Sequence, residues 1–103
     1  MRIYFKTEEL KNFYETSLEA IRGKRHFPRE VLKQYKKRIE LLIEITKLEE
    51  LRRYRGLYFE YLKGTRKGQC SLRLNDKYRL IITPMDEKTI QIILINEISK
   101  HYE

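Results

Sequence analysis

Tryptophan is absent from this chain, cysteine occurs once, and no apolar run approaches the roughly 18 residues that a membrane-crossing helix needs. The lone thiol, Cys70, excludes a disulfide framework, and with two distant histidines it cannot make up a structural zinc site. Nothing resembles an EF-hand loop, a glycine-rich phosphate loop opening a helix, or a G-x-S-x-G nucleophile turn, so no metal or cofactor is expected. The N-terminus lacks the apolar stretch of a signal peptide, which points to a soluble, cytoplasmic protein with no membrane partner. No repeat, linker or low-complexity tract divides the 103 residues. A single domain spanning residues 1–103 is expected, large enough to bury roughly two thirds of its unfolded surface.

Charge is what the chain has in quantity. Charged residues make up 37% of it, Lys and Arg outnumber Asp and Glu by 23 to 15, and the net charge is +8. Such a balance attracts nucleic acid, an acidic protein or an anionic surface. The apolar fraction of 41% is ordinary and sufficient for a core. With no tryptophan, eight tyrosines and four phenylalanines must serve both that core and any stacking surface.

In chain order, Arg2 to Lys6 is a β-type run too short to persist unless it joins a sheet. Thr7 is a good N-cap, and Glu8 and Glu9 favour the helix start behind it. Leu10, Phe13, Tyr14, Leu18 and Ile21 then recur at helical spacing up to Gly23, which begins a basic turn through His26. Pro28 suits a first helical position. Val31, Leu32, Tyr35, Ile39, Leu42 and Ile43 form the stripe of a second helix running through Thr46, with Lys33, Lys36, Lys37 and Arg38 on its solvated surface. Residues 47–56 read as polar and irregular, with room for an extra helical turn. Thr89 to Ile95 is almost wholly apolar and β-branched, the pattern of a strand covered on both faces. A turn is expected at Pro84 to Lys88, and a polar tail from Asn96 to Glu103. The order β-α-α-β-β-β-β predicts an α+β domain, with two helices packed on one face of a mainly antiparallel sheet.

Leu57 to Thr83 organises the rest. It reads as three strands, with the basic loop Lys63-Gly64-Thr65-Arg66-Lys67-Gly68 between the first two. Cys70, Leu72 and Leu74 share one face, as do Tyr78, Leu80 and Ile82. Both sets reach one core only if the hairpin connection is the three residues Asn75-Asp76-Lys77. That register sets Arg73 directly opposite Arg79 on the other face. Like charges so placed destabilise a sheet by a few tenths of a kcal/mol up to about 1. With Lys63, Arg66 and Lys67 close by, the hairpin suits a polyanion.

A basic face with a few proton-transfer groups is sufficient for RNA cleavage without a metal. The 2′-hydroxyl attacks its own 3′-phosphate; the enzyme helps remove the hydroxyl proton, neutralises the crowded phosphate and protonates the 5′-oxygen. Arginine suits the phosphate, because its planar fork holds two oxygens without losing charge. Glu60, His101 and Tyr102 are the candidate proton-transfer groups, each worth ~10²–10⁴-fold if it acts. Each also has a plainer reading: His101 as a surface residue of the terminus, Tyr102 as a clip for the tail, Glu60 as the ion-pair partner of a loop lysine. His26, beside Phe27, reads as structural or solvent-exposed.

Leu62-Lys63-Gly64, followed by Ser71-x-Arg73-x-Asn75-x-x-Tyr78-Arg79, resembles the RelE/ParE superfamily of bacterial toxins, and the HigB type within it most. The likeness covers nearly the whole chain, and the S-x-R-x-N-x-x-Y-R run is its specific part. It implies a RelE-like, microbial-ribonuclease-like fold and a ribosome-dependent endoribonuclease (mRNA interferase) that cuts mRNA in the A site and inhibits translation. It also implies a cognate HigA-like helix-turn-helix antitoxin, with the pair able to sit on operator DNA. By the same likeness, Arg79 stabilises the phosphate transition state. Arg73, Lys63, Arg66 and Lys67 hold mRNA and ribosomal RNA, and His101 and Tyr102 fall where HigB-type toxins place catalytic side chains. Many HigB relatives carry His where this chain has Glu60; a carboxylate serves as a base but not as an imidazolium acid. The division of labour among Glu60, His101 and Tyr102 therefore stays open.

Two other functions fit parts of the pattern. A ParE-like gyrase poison shares the superfamily, though it has no need of Arg79 or a His-Tyr tail. A non-catalytic RNA-binding protein shares the basic sheet face.

Overall fold

The structure is a computed structural model that describes residues 1–21, 27–87 and 90–100. Its elements run β1 (Arg2–Phe5), α1 (Glu8–Glu15), α2 (Arg29–Glu44), β2 (Glu60–Tyr61), β3 (Cys70–Arg73), β4 (Tyr78–Glu87) and β5 (Ile90–Lys100). The five strands form one mixed sheet in the order β1-β5-β4-β3-β2, antiparallel except where β1 lies along β5. This is the α+β arrangement the pattern predicts. The short β1 run is held as expected, with Ile3 facing Ile93 and Phe5 facing Ile95.

The helices begin where the caps say and end earlier than periodicity alone suggests. Thr7 Oγ1 accepts from the Leu10 amide at 3.2 Å, the N-cap of α1. That helix stops at Glu15, because Lys36 of α2 donates to the carbonyls of Tyr14 and Thr16 at 2.7 and 2.6 Å. A cation over the last carbonyls complements the helix dipole and replaces bonds that a further turn would make. Leu18 falls in a separate 3-10 turn, Leu18–Ala20. Pro28 caps α2 from outside rather than opening it, and α2 closes at Glu44, short of Thr46. The ammonium of Met1 donates to the carbonyls of Leu42, Ile43 and Ile45 at 3.1, 2.7 and 3.0 Å, a second cation on a helix C-terminus. Ile43 sits outside the stripe and is exposed. Residues 47–56 take the helical option: 3-10 turns at Leu48–Arg53 and Arg55–Leu57 bury Leu48, Leu51 and Leu57.

The core lies between the helices and one face of the sheet. Val31, Leu32, Tyr35, Ile39 and Leu42 of α2 meet Leu72, Leu80, Ile82, Ile93 and Ile95, each essentially inaccessible. Full burial of one such side chain contributes about 1.5–3 kcal/mol. Tyr35 is wholly buried because its hydroxyl donates to the Leu10 carbonyl at 2.7 Å, joining α2 to α1; burial pushes its pKa up.

The hairpin register follows the parity argument. Cys70 faces Ile82, Leu72 faces Leu80, and Arg73 faces Arg79. Asn75 builds the three-residue connection: its Oδ1 accepts from the amides of Lys77 and Tyr78, both at 2.8 Å, an Asx turn. Two expectations fail further along. Pro84 to Glu87 belong to β4 and not to a turn, because β3 stops pairing at Ile82 and leaves β4 a free edge that tolerates proline. The tail from Asn96 is strand as far as Lys100. A bulge explains it: Ile82 faces Ile95 while Ile81 faces Glu97, so Asn96 is the extra residue. The bulge returns Ile98 to the core and turns Glu97 and Ser99 to the opposite face.

Candidate active site

On the face of the sheet away from the core, strand pairing lays out two rows. One row runs Glu60, Ser71, Ile81, Glu97 across β2, β3, β4 and β5; the next runs Arg73, Arg79, Ser99. Between them opens a cavity of about 230 Å³, lined by Glu60, Leu62, Arg66, Ser71, Arg79, Ile81, Ser99 and Lys100. Three of the expected site residues, Glu60, Arg66 and Arg79, thus share one hollow.

Their surroundings differ. Arg79, part-exposed on the central strand, has no hydrogen-bond or ion-pair partner among the described residues. Arg66 is anchored: its Nη1 donates to Glu97 Oε2 and Gln69 Oε1, both at 3.0 Å. Gly64 and Gly68, with φ of 67° and 95°, let the loop wrap tightly enough for Arg66 to reach back over β5. Lys63 and Lys67 are exposed at the ends of that 3-10 turn, outside the cavity lining.

Arg73 answers its unfavourable position opposite Arg79 by turning away. Its Nη2 pairs with Asp76 of the hairpin connection, and its guanidinium lies 5.3 Å from the centre of the Tyr58 ring. Its carbonyl accepts from Arg38 Nε at 3.2 Å, which ties the end of β3 to α2. The carboxylate that makes two facing arginines tolerable is therefore intramolecular for Arg73.

Tyr58 has the one positive φ outside glycine among the described residues, at φ 47° and ψ 48°. A left-handed conformation costs an L-residue about 1–2 kcal/mol. No residue pattern marks it in the sequence. Ser99, Lys100 and Glu97 were missed for another reason, since alternation lost at Asn96 hides the strand that carries them. The signal was present in the three-residue spacing of Ile95 and Ile98.

His101 and Tyr102 lie outside the described residues, as do His26 and the basic turn around it. They follow directly on Lys100, which lines the cavity. Cys70 is fully buried, and burial pushes its thiol up to about 11, so the inert reading of it stands.

Residues 3–95 match the family model described as RelE-like toxin of type II toxin-antitoxin system HigB. The chain is 35% identical over 88 residues to Toxin HigB-1 of Vibrio cholerae serotype O1, covering 84% of this chain and 86% of that one. In fold it is similar to the YoeB/ParE toxin from Agrobacterium tumefaciens, with a TM-score of 0.55 at 16% identity, over 99% of this chain and 100% of that one. It is also similar to a chain of the YoeB-YefM complex from Staphylococcus aureus, with a TM-score of 0.51 at 22% identity, over 99% and 98%. The S-x-R-x-N-x-x-Y-R motif, the sheet that displays it and these likenesses agree: the chain belongs to the HigB-like family, the RelE-like toxins of type II toxin–antitoxin systems.

Proposed function

We propose that this toxin is an endoribonuclease that enters the ribosomal A site, cuts mRNA there and so stops translation. The observation that supports it most is that Glu60 and Arg79, which has no partner among the described residues, line one cavity on the sheet face away from the core. The Arg79 guanidinium there can hold two oxygens of the scissile phosphate as charge builds on it. Glu60 takes the proton of the 2′-hydroxyl, the 2′-oxygen bonds to phosphorus, and the bond to the 5′-oxygen breaks. The leaving oxygen takes a proton from His101 or Tyr102, next in the chain after Lys100. The products are a 2′,3′-cyclic phosphate and a 5′-hydroxyl. No step calls for a metal.

Lys63, Arg66 and Lys67 hold the RNA backbone, with Arg66 already oriented by Glu97. Arg73 is better suited to shaping the site than to a phosphate, because Asp76 neutralises it. The whole chain acts as one cytoplasmic domain, and a cognate antitoxin neutralises it, in keeping with a family of toxins from type II toxin–antitoxin systems.

The reading is tested by mapping 5′ ends of cellular mRNA after brief induction, with a DNA-damage reporter alongside. Cuts in phase with translated codons are expected. DNA breaks with intact mRNA would mean a gyrase poison, and neither effect would leave a non-catalytic RNA binder.

A further inference from the structure

We propose that Tyr58 is the floor of a nucleobase subsite, the ring on which a base flanking the cleaved bond stacks. The proposal rests on the endoribonuclease reading and adds to it a residue that touches RNA. Among the described large apolar side chains Tyr58 is the most exposed, at 58%. It ends a 3-10 turn in the left-handed conformation, where glycine is the default. A tyrosine kept in a glycine's place, with its ring in water, is explained by what the ring does.

Its position supplies the use. Tyr58 lies two residues before Glu60, and the guanidinium over its ring belongs to Arg73, the direct cross-strand partner of Arg79. The guanidinium lies over one face of the ring, held there by Asp76, and the exposed remainder of the ring is open to a base. Unpaired RNA bases stack on such aromatic and arginine planes, largely without regard to sequence. Tyr61, also exposed, differs in having its hydroxyl engaged. The Tyr61 ring lies under Arg52, at 5.9 Å, and its hydroxyl donates to Glu49 at 3.1 Å.

The test is single-turnover cleavage of programmed ribosomes at subsaturating toxin, on intact mRNA and on mRNA with abasic residues in the A-site codon. Tyr58→Gly removes the ring and suits φ 47°, so its melting temperature should equal or exceed wild type. It should nevertheless cut intact mRNA about tenfold or more slowly, while Tyr58→Phe and Tyr58→Trp stay within about twofold of wild type. On abasic mRNA, wild type should slow to the rate of Tyr58→Gly and the difference between them should vanish. If Tyr58→Gly cuts at the wild-type rate, or is impaired equally on both mRNAs, the subsite is wrong. Loss of antitoxin binding with unchanged cleavage would likewise overturn it, in favour of a protein contact. A wild type that cuts no mRNA fails the endoribonuclease reading itself, a result distinct from all of these.

Discussion

Arg73 and Arg79 begin as equals in the sequence, two arginines facing each other across a hairpin, and the structure gives them different work. Asp76 and Tyr58 take up Arg73, while Arg79 lines a cavity with no partner among the described residues. The pairing itself was legible, because side-chain parity leaves one register in which both apolar sets reach the core. The inequality was not, since it depends on which carboxylate a hairpin turn brings within reach. Arg79 is part-exposed and makes no ion pair among the described residues, so Arg79→Ala should melt within about 1 kcal/mol of wild type, as thermal unfolding would show. Cys70 gives a prediction with a definite sign. Its thiol rises from an ordinary 9.0 to about 11 through burial. Between those values the unfolded chain loses the proton first, so this contribution to stability is complete below about 9 and lost as pH rises toward 11. Unfolding titrations of Cys70→Ala should therefore show a weaker alkaline decline than wild type, from a lower starting stability.

Elements were read well where local chemistry decides them and poorly where a distant group does. Thr7 announces α1, but Lys36, more than a turn of α2 into the next helix, decides where α1 ends. The β5 tail was misread because one inserted residue, Asn96, breaks the alternation that identifies a strand. That bulge is the device that puts Glu97 beside Arg66 and Ser99 beside Arg79. Deleting Asn96 removes the extra residue and leaves Glu97 opposite Ile81 and Ile98 opposite Leu80, so the variant should keep its core and its cleavage, with a lowered melting temperature from the lost Thr83 bond to Asn96 as the thermal readout. Tyr35→Phe makes a companion case. It loses the hydroxyl bond between α2 and α1, which should cost about 1 kcal/mol in denaturant unfolding and leave cleavage unchanged.

At the scale of the molecule, the sheet divides the labour between its faces: one is spent on the core, and the other carries the cavity lined by Glu60, Arg66 and Arg79. The fold class was legible from element order, and the family from a single motif whose Asn75 proves to be the hairpin's turn former. Composition alone supplies the remaining property, a net charge of +8. Ribosome association should accordingly weaken with salt. Lys63→Ala combined with Lys67→Ala should flatten that dependence by roughly one to two counterions in binding titrations, with the single-turnover rate at saturation unchanged.

The central claim is that Arg79 and Glu60 form a cleavage site for mRNA on the ribosome. The most direct measurement is single-turnover cleavage of programmed ribosomes at saturating toxin, with the new RNA ends identified chemically. Wild type should leave a 5′-hydroxyl within the A-site codon, and Arg79→Ala and Glu60→Gln, each folded by thermal melt, should slow the step by about 10²-fold or more. Wild-type rates in both folded variants, or products bearing a 5′-phosphate, would contradict the account.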